Sequence, residues 1–350
     1  MDNLSKITKL LVFILATFAL FHFGSSFLVP FLFGIFLANI MAPFCNILET
    51  YKISRLVASL LSTLVVFIVA GGILFLFAFQ VDQFISDISV IQKEMQSFIN
   101  TLEEKVASIA NFSIEQLQNY WQDRSDQIIG RIETYVTNFF SGVLNAFTGF
   151  LLVLIYLFLL LLYRNRLSEF IMMYTSAEKK ERVKSILNKS TKIVFHYLWG
   201  RIKVMSILAV MYYITFLIFD LPYAILITIF GAIITVIPYL GPLISGIIPI
   251  LFSFIFFDSI PKSILFSAFI IIEQLIESYV LEPWIIGKEV ELNPLIVIVA
   301  VIIGGMIWGL AGMVLFVPLF AMIKIISSNS KGLEPIGFLL GNSEKKSQEK

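Results

Sequence analysis

Five long stretches of the chain carry no charged residue, and they constrain the fold more than any other feature. They cover 10–48, 56–81, 134–163, 221–257 and 292–323. Each is longer than the ~20 residues with which an α-helix crosses a bilayer. A crossing segment must satisfy its own backbone hydrogen bonds, which favours helices, whereas a β-barrel would alternate polar and apolar residues. The sequence therefore predicts an all-α polytopic membrane protein.

The composition agrees with this class and argues against an enzyme. Of the 350 residues 58% are hydrophobic and 14% are charged, whereas a soluble domain is about half apolar and about a quarter charged. Cys45 is the single cysteine, and His22 and His196 lie in different segments. A metal cluster or a Cys/His pair thus has little material, and no phosphate-binding glycine loop is present. We expect no enzymatic activity, no metal and no cofactor.

The apolar segments divide the chain into about eight membrane-spanning helices, with broken or re-entrant segments near the C-terminus. We predict helices one to three in 1–81, an outer amphipathic insert in 82–138, helix four in 139–163, a basic inner segment in 164–203, a C-terminal core in 204–326 and a tail in 327–350.

Charge sets the predicted orientation. The stretch 164–203 has ten Lys/Arg against three acidic residues, whereas 82–133 has four basic residues against nine acidic ones. Short basic loops stay in the cytoplasm, so 164–203 and both termini are predicted inside. Both termini share a side if 292–323 returns as a re-entrant hairpin, and a single long tilted helix is the alternative.

Both polar stretches contain amphipathic patterns. In the outer one, an apolar stripe from Phe84 to Ile109 and a capping box at Ser113 and Gln116 predict a helical hairpin. Its near-heptad spacing suits packing of one helix on the other or self-association, so a homo-oligomer stays possible. The inner basic helix is expected to contact membrane lipid headgroups. Because no aromatic residues are interleaved with its basic ones, nucleic acid is not an expected partner.

Three polar residues interrupt the apolar segment that follows Lys262. Glu273 lies 11 residues further on, roughly 16 Å along a helix and close to the midplane of a ~30 Å hydrocarbon core. Gln274 is adjacent, and Glu277 lies one turn further on the same face. Charges at this depth are costly and usually face a cavity that carries function. We predict a proton, cation or solute pathway here; alternatively, both acids lie at the interface.

Two regions combine poor helix formers with membrane depth. Irregular backbone is tolerated there only where it is buried in protein or lines a cavity, and in transporters such breaks hold substrate or ions. A plain kink or a tight loop is the alternative. Tyr239 adds an aromatic ring and a hydroxyl to the first region, and we predict that it belongs to the same pathway as the two glutamates and Gln274. The predicted broken-helix residues are Pro238, Gly241, Pro242, Gly304, Gly305, Gly309 and Gly312.

The order of several motifs resembles a known family. "YLWGRIKV" precedes "FDLPYAILITIFGAIITVIPYLGPLISGIIP", and "EQLIESYVLEPWIIGKEVELNPLIVIVAVIIGGMIWGLAGMVLFVPLFAMIKI" follows. Over about 197–326 this is similar to the autoinducer-2 exporter family, also described as PerM-like permeases. The resemblance implies a bacterial inner-membrane protein of about eight spans. It also carries over Pro283, Gly287, Pro294 and Pro318 as motif positions.

The resemblance also implies a function. Members of the autoinducer-2 exporter family are linked to export of autoinducer-2, and some of their relatives act as sodium or lithium/proton antiporters. We therefore expect a secondary permease that exports a small hydrophilic solute such as autoinducer-2, linked to protons. Two alternatives stay open: a Na⁺(Li⁺)/H⁺ antiporter, and a membrane scaffold that does not transport.

Overall fold

The computed structural model of the protein describes residues 2–110, 134, 149–286 and 292–342. Helices make up nearly all of these residues, which confirms the predicted all-α fold. The helices are α1 (Asp2–Phe23), α2 (Ser25–Thr50), α3 (Arg55–Ser86), α4 (Ile88–Ala110), α5 (Gly149–Met173), α6 (Lys180–Ile218), α7 (Ala224–Ile234), α8 (Leu240–Phe256), α9 (Ile260–Ile276), α10 (Pro294–Ser328) and α11 (Glu334–Leu340).

Among the residues that the structure describes, six helices are long and apolar enough to cross a membrane: α2, α3, α5, α6 with the turn before it, α9 with its extension to Ile286, and α10. The apolar α7 and α8, with 11 and 17 residues, measure about 16 and 25 Å, less than a ~30 Å core. These lengths support a multipass membrane protein. The count of eight crossings stays a prediction.

The chain forms two compact units. One contains 1–67, 149–203 and 283–350, and the other contains 68–148 and 204–282. The predicted boundaries at 81/82 and 203/204 fall inside α3 and α6. A change from polar to apolar sequence does not end a helix when no proline interrupts it, and neither helix contains one.

In the second unit, α7 and α8 form an antiparallel helical hairpin, called hairpin 1 here, with its tip at 235–239. At its base, the rings of Tyr223 and Phe256 lie 6.0 Å apart between centroids. At its tip, a β-carbon on Gly241 would lie only 2.2 Å from the carbonyl oxygen of Ile234. The proline- and glycine-rich motif is therefore a tight reversal, and α8 does not continue the direction of α7.

In the first unit, α10 is itself a hairpin, called hairpin 2. Trp308 and Gly309 depart from helical geometry, with φ/ψ of −130°/16° and 60°/−140°. Gly304 and Gly312 would lie about 12 Å apart in a straight helix, yet a β-carbon on Gly312 would approach the oxygen of Gly304 to 1.9 Å. The arms 294–307 and 310–328 thus fold back on each other. Length and hydropathy alone would have made α10 one span.

The first helix of the predicted outer insert is present as α4. It packs against α8, and its Ile91 is buried. Asp87 separates α3 from α4 and accepts a hydrogen bond from the hydroxyl of Tyr223 at 3.2 Å. Burial and the Asp87 carboxylate raise the pKa of Tyr223 to about 12, so this hydroxyl keeps its proton near neutral pH. The second predicted helix, with Ser113 and Gln116, lies outside the described residues.

Candidate functional site

The polar residues predicted on α9 face the protein interior. Glu273 is 6% exposed and Glu277 is fully buried. On the other side of the same helix, Ile271, Ile272 and Leu275 are exposed, as expected for residues that contact lipid. The chain therefore directs these carboxylates inward and the aliphatic side chains outward, as ionisable residues within membrane helices usually do.

Glu273 is bound by a residue that the sequence analysis did not identify. The hydroxyl of Thr215, on α6, donates a hydrogen bond of 2.5 Å to Glu273 Oε1. The other carboxylate oxygen, Oε2, is buried and has no hydrogen-bond partner among the described residues. A buried oxygen without a partner costs free energy, so this atom is a place where a proton or a ligand group would be stabilised.

Gln274 joins two further helices to α9. Its amide nitrogen donates to the hydroxyl of Tyr212 on α6 at 2.7 Å and to that of Ser245 on α8 at 3.0 Å. The two hydroxyl oxygens lie 3.3 Å from each other. A β-carbon on Gly246 would contact the Gln274 side chain at 3.4 Å, so the glycine leaves room for it. Amide and hydroxyl groups thus form one compact polar cluster.

Glu277 lies where the helical winding changes. The chain continues from Glu277 to Ile286 as a π-helix that contains Pro283. Proline has no N–H group, and in an α-helix its ring would clash with the carbonyl four residues earlier. A π-turn relieves such a conflict, and wide turns of this kind occur frequently at functional sites. The fully buried carboxylate of Glu277 thus begins a locally irregular helix.

Tyr239 is not part of this cluster, although the sequence analysis grouped it with the glutamates. It lies at the tip of hairpin 1 and is 55% exposed, and within the described residues it makes no hydrogen bond to the cluster. Its φ/ψ is 66°/−50°, and the backbone N–H of Leu240 donates to the carbonyl oxygen of Pro238 at 2.8 Å. Together these features define a γ-turn whose central residue, Tyr239, has a positive φ. This turn is rare and strained for a residue other than glycine.

The cluster nevertheless reaches the broken-helix motif through Ser245. The hydroxyl of Ser245 donates to the carbonyl oxygen of Pro242 at 3.1 Å, in the first turn of α8. Pro238 and Gly241 are buried at the tip. Part of the predicted motif is thus bonded to the predicted carboxylate region in the same unit.

The predicted glycines of α10 have a different role. Gly304 and Gly312 bring the two arms of hairpin 2 into backbone contact, and Gly309 provides the positive φ of the reversal. A β-carbon on Gly305 would meet the side chain of Met313. These glycines belong to the first unit and shape the hairpin there, with no ionisable side chain at their contact.

The sequence analysis missed Tyr212, Thr215 and Ser245. Tyr212 and Thr215 are three residues apart and share one face of α6, within an otherwise apolar run. That spacing would have indicated an inward polar stripe. In the described part of the chain, no three His, Cys, Asp or Glu side chains are close enough together to hold a metal ion. The cluster instead offers carboxylates, hydroxyls and an amide, which can bind a polar solute or carry a proton.

Comparison with known proteins now adds the family. Residues 11–332 match the profile described as AI-2E family transporter. The chain belongs to this family. It is 24% identical to the AI-2 transport protein TqsA of Escherichia coli (strain K12), over 93% of this chain and 92% of TqsA. This match confirms the family resemblance drawn from the motifs.

Two further relatives match most of this chain as well. YrrI of Bacillus subtilis (strain 168) is 24% identical over 85% of each chain. YhhT of Escherichia coli (strain K12) is 22% identical over 99% of this chain and 96% of YhhT. The names of both give transport as a provisional role. Family and apolar helices together support a multipass membrane permease, which is consistent with the expectation that the chain is not an enzyme.

Proposed function

We propose that this chain is a secondary permease that exports a small hydrophilic solute such as autoinducer-2 and couples export to protons. The relative TqsA is named as an AI-2 transport protein, and the family match makes the same solute the first candidate here. The bacterial inner membrane, with both termini in the cytoplasm, is the proposed location.

The observation that carries this proposal is the pair of buried carboxylates, one near the C-terminal end of α9 and one at the start of the π-helix that continues it. Glu273 and Glu277 are both buried in helices that are otherwise apolar, and Glu273 accepts a hydrogen bond from the hydroxyl of Thr215. An ionised carboxylate in such surroundings is costly, and protonation removes the charge. Proton-coupled transport requires a group that takes up and releases a proton when its surroundings change.

The contacts at the bases of the two hairpins support the architecture of a transporter. At the base of hairpin 1, the ring of Phe84 lies 5.1 Å from that of Tyr223, and Phe84 belongs to the acidic stretch predicted outside. At the base of hairpin 2, Arg182 of the basic stretch predicted inside donates a hydrogen bond to the carbonyl of Asn329. Helices that end within the membrane are typical of secondary transporters.

The test is transport in everted membrane vesicles, in which export appears as uptake. Autoinducer-2 uptake and the proton gradient, followed with a pH-sensitive dye, would be measured together for the native chain and for the double variant Glu273→Gln, Glu277→Gln. We expect gradient-driven uptake with the native chain. The double variant should fall to the level of vesicles without the protein while inserting normally.

Glu169→Gln is the matched control, because it removes an exposed glutamate of α5 and should leave uptake unchanged. If the dye responds to sodium or lithium and no solute is taken up, the cation antiporter replaces this proposal. Native uptake that the double variant retains removes the carboxylates from the mechanism. The absence of both responses in native vesicles would contradict a transport role of this kind and favour the scaffold.

A further inference from the structure

The amide of Gln274 lies at the junction of three helices, beside one of the two carboxylates. We propose that Gln274 is a positioning residue that holds the tip of hairpin 1 in its strained form and links it to the state of Glu273. The link to transport rests on the proposed function; the positioning itself does not.

The hydrogen bonds around Gln274 have one consistent direction. Its two N–H groups donate to Tyr212 and to Ser245. The single hydroxyl proton of Ser245 goes to the carbonyl of Pro242, because a carbonyl only accepts. The hydroxyl of Tyr212 must therefore be the donor in its 3.3 Å contact with Ser245. The chain of bonds begins at Gln274 and ends on the backbone three residues after Tyr239.

The tip of hairpin 1 needs such an anchor. A tyrosine at a φ of 66° has an unfavourable backbone and persists only where the surrounding structure determines it. The bond from Ser245 to Pro242 fixes the first turn of α8 immediately after the γ-turn. Gln274 is the donor that fixes Ser245 in turn. Without the amide, the strained turn loses a support that lies outside the hairpin.

Gln274 is also placed to sense Glu273, its neighbour in the chain. Thr215 bonds Glu273, and Tyr212, one turn away on α6, bonds Gln274. Two adjacent side chains of α9 are thus bonded to two side chains that lie about one turn apart on α6. Hydrogen bonds to an ionised carboxylate are about twice as strong as neutral ones. Protonation of Glu273 therefore weakens one of these bonds and frees α9 to shift, which moves Gln274 and Ser245.

The test is amide hydrogen exchange of the full-length protein in lipid nanodiscs, without solute and without a gradient. We expect Gln274→Leu to accelerate exchange in 236–246 by about tenfold, because the opening of a region follows the bonds that hold it closed. Exchange in α11 should not change. Gln96→Leu, which removes an exposed glutamine bond to Asn100 on α4, is the matched control and should resemble the native chain.

A second pair of variants separates positioning from a general loss of packing. Tyr212→Phe keeps the ring that stacks on Phe216, and Ser245→Ala changes one atom. If Gln274 acts through them, the combined Tyr212→Phe, Ser245→Ala variant reproduces the effect of Gln274→Leu, and adding Gln274→Leu to it causes no further acceleration. This pair also carries the test if Gln274→Leu does not fold.

Transport kinetics give the second readout. Gln274→Leu should lower the maximal rate more than it changes the apparent KM, since the residue holds a hairpin rather than the solute. Native exchange at 236–246 in Gln274→Leu, or fully additive effects of the three substitutions, would overturn the inference. Exchange needs no transport, so a failure of the proposed function leaves this result independent.

Discussion

The two helical hairpins reverse the chain by different means. Hairpin 2 uses glycine where its geometry requires it: Gly309 adopts the positive φ, and Gly304 meets Gly312 backbone to backbone. Hairpin 1 also has a glycine at its close contact, Gly241, but its positive φ belongs to Tyr239. The first solution is unstrained, and the second retains a side chain at the cost of an unfavourable backbone.

This difference separates structural from functional positions. A glycine-made tip offers few chemical groups, so hairpin 2 is best explained as a rigid support of the first unit. A strained, half-exposed tyrosine stands out because glycine at the same place would be more stable. Strained residues concentrate at functional sites. The tip of hairpin 1, which is bonded to the carboxylate cluster, is therefore the one that we expect to contact solute or to move.

The largest expected effect is on hairpin 2. Gly312→Ala would place a β-carbon 1.9 Å from the oxygen of Gly304, and backbone cannot move aside as a side chain does. We expect the arms to separate and the free energy of unfolding to fall by about 3 kcal/mol or more, the upper range of overpacking. Thermal unfolding in detergent micelles and the yield of folded protein would measure this.

Gly72→Ala is the control for that substitution, because Gly72 is also helical and a β-carbon there meets no atom within 4 Å. It should be neutral or more stable by up to about 1 kcal/mol, since alanine favours a helix. A Gly312→Ala variant as stable as Gly72→Ala would mean that the two arms are not in contact in the folded protein.

The next effect tests the tips against each other with substitutions of opposite sign. Tyr239→Gly should raise the free energy of unfolding by about 1 kcal/mol, because glycine adopts a positive φ without strain. Gly309→Ala, which has open space for its β-carbon, should lower it by a similar or larger amount for the same reason. Thermal unfolding of both variants under one condition gives the comparison.

Transport measurements on Tyr239 variants would show whether the strained backbone at this residue serves function. If the tyrosine serves function, Tyr239→Gly is more stable than the native chain and yet transports more slowly. Tyr239→Phe then tells whether the ring suffices without the hydroxyl. A Tyr239→Gly variant that is less stable than the native chain would show that the side chain supports the turn, contrary to the comparison drawn here.

Sequence patterns predicted the parts of the molecule that depend on local chemistry. Uncharged runs indicate membrane helices whatever their arrangement, and two glutamates four residues apart must share one helical face. This is why α9 and the inward direction of Glu273 and Glu277 could be predicted. The breaks at Pro238 and Gly309 could be located as well, because proline and glycine act on their own segment of backbone.

What could not be predicted depends on neighbours that are distant in sequence. Thr215 is 58 residues from Glu273, and one hydroxyl in an apolar run does not indicate its partner. The sense of the break at Pro238 was equally hidden, since a kink and a full reversal need the same residues, whereas for 292–323 a re-entrant hairpin was predicted with a single tilted helix as the alternative. The contact of Gly304 with Gly312 in the structure distinguishes a hairpin from a bent helix. Tyr239 was placed with the glutamates because its chemistry suited them, whereas the fold exposes it.

The smallest expected effect concerns how the tip of hairpin 2 is held. The indole N–H of Trp308 donates to the carbonyl of Phe21 at 2.8 Å, in the last turn of α1, where carbonyls lack helical partners. Its ring also stacks on that of Phe21 and meets Phe316 edge-on. Trp308→Phe keeps an aromatic ring and removes the hydrogen bond, so unfolding should become easier by about 1 kcal/mol.

Trp284→Phe is the matched control, because Trp284 is 81% exposed. This substitution should change the unfolding temperature little. Amide exchange in α1 gives the second measurement, and it should accelerate in Trp308→Phe and not in the control. Equal behaviour of the two variants would mean that ring packing alone holds this tip. Hairpin 2 would then need no anchor beyond apolar contacts, whereas hairpin 1 needs a chain of hydrogen bonds, and the contrast between a supporting and a working hairpin would become sharper.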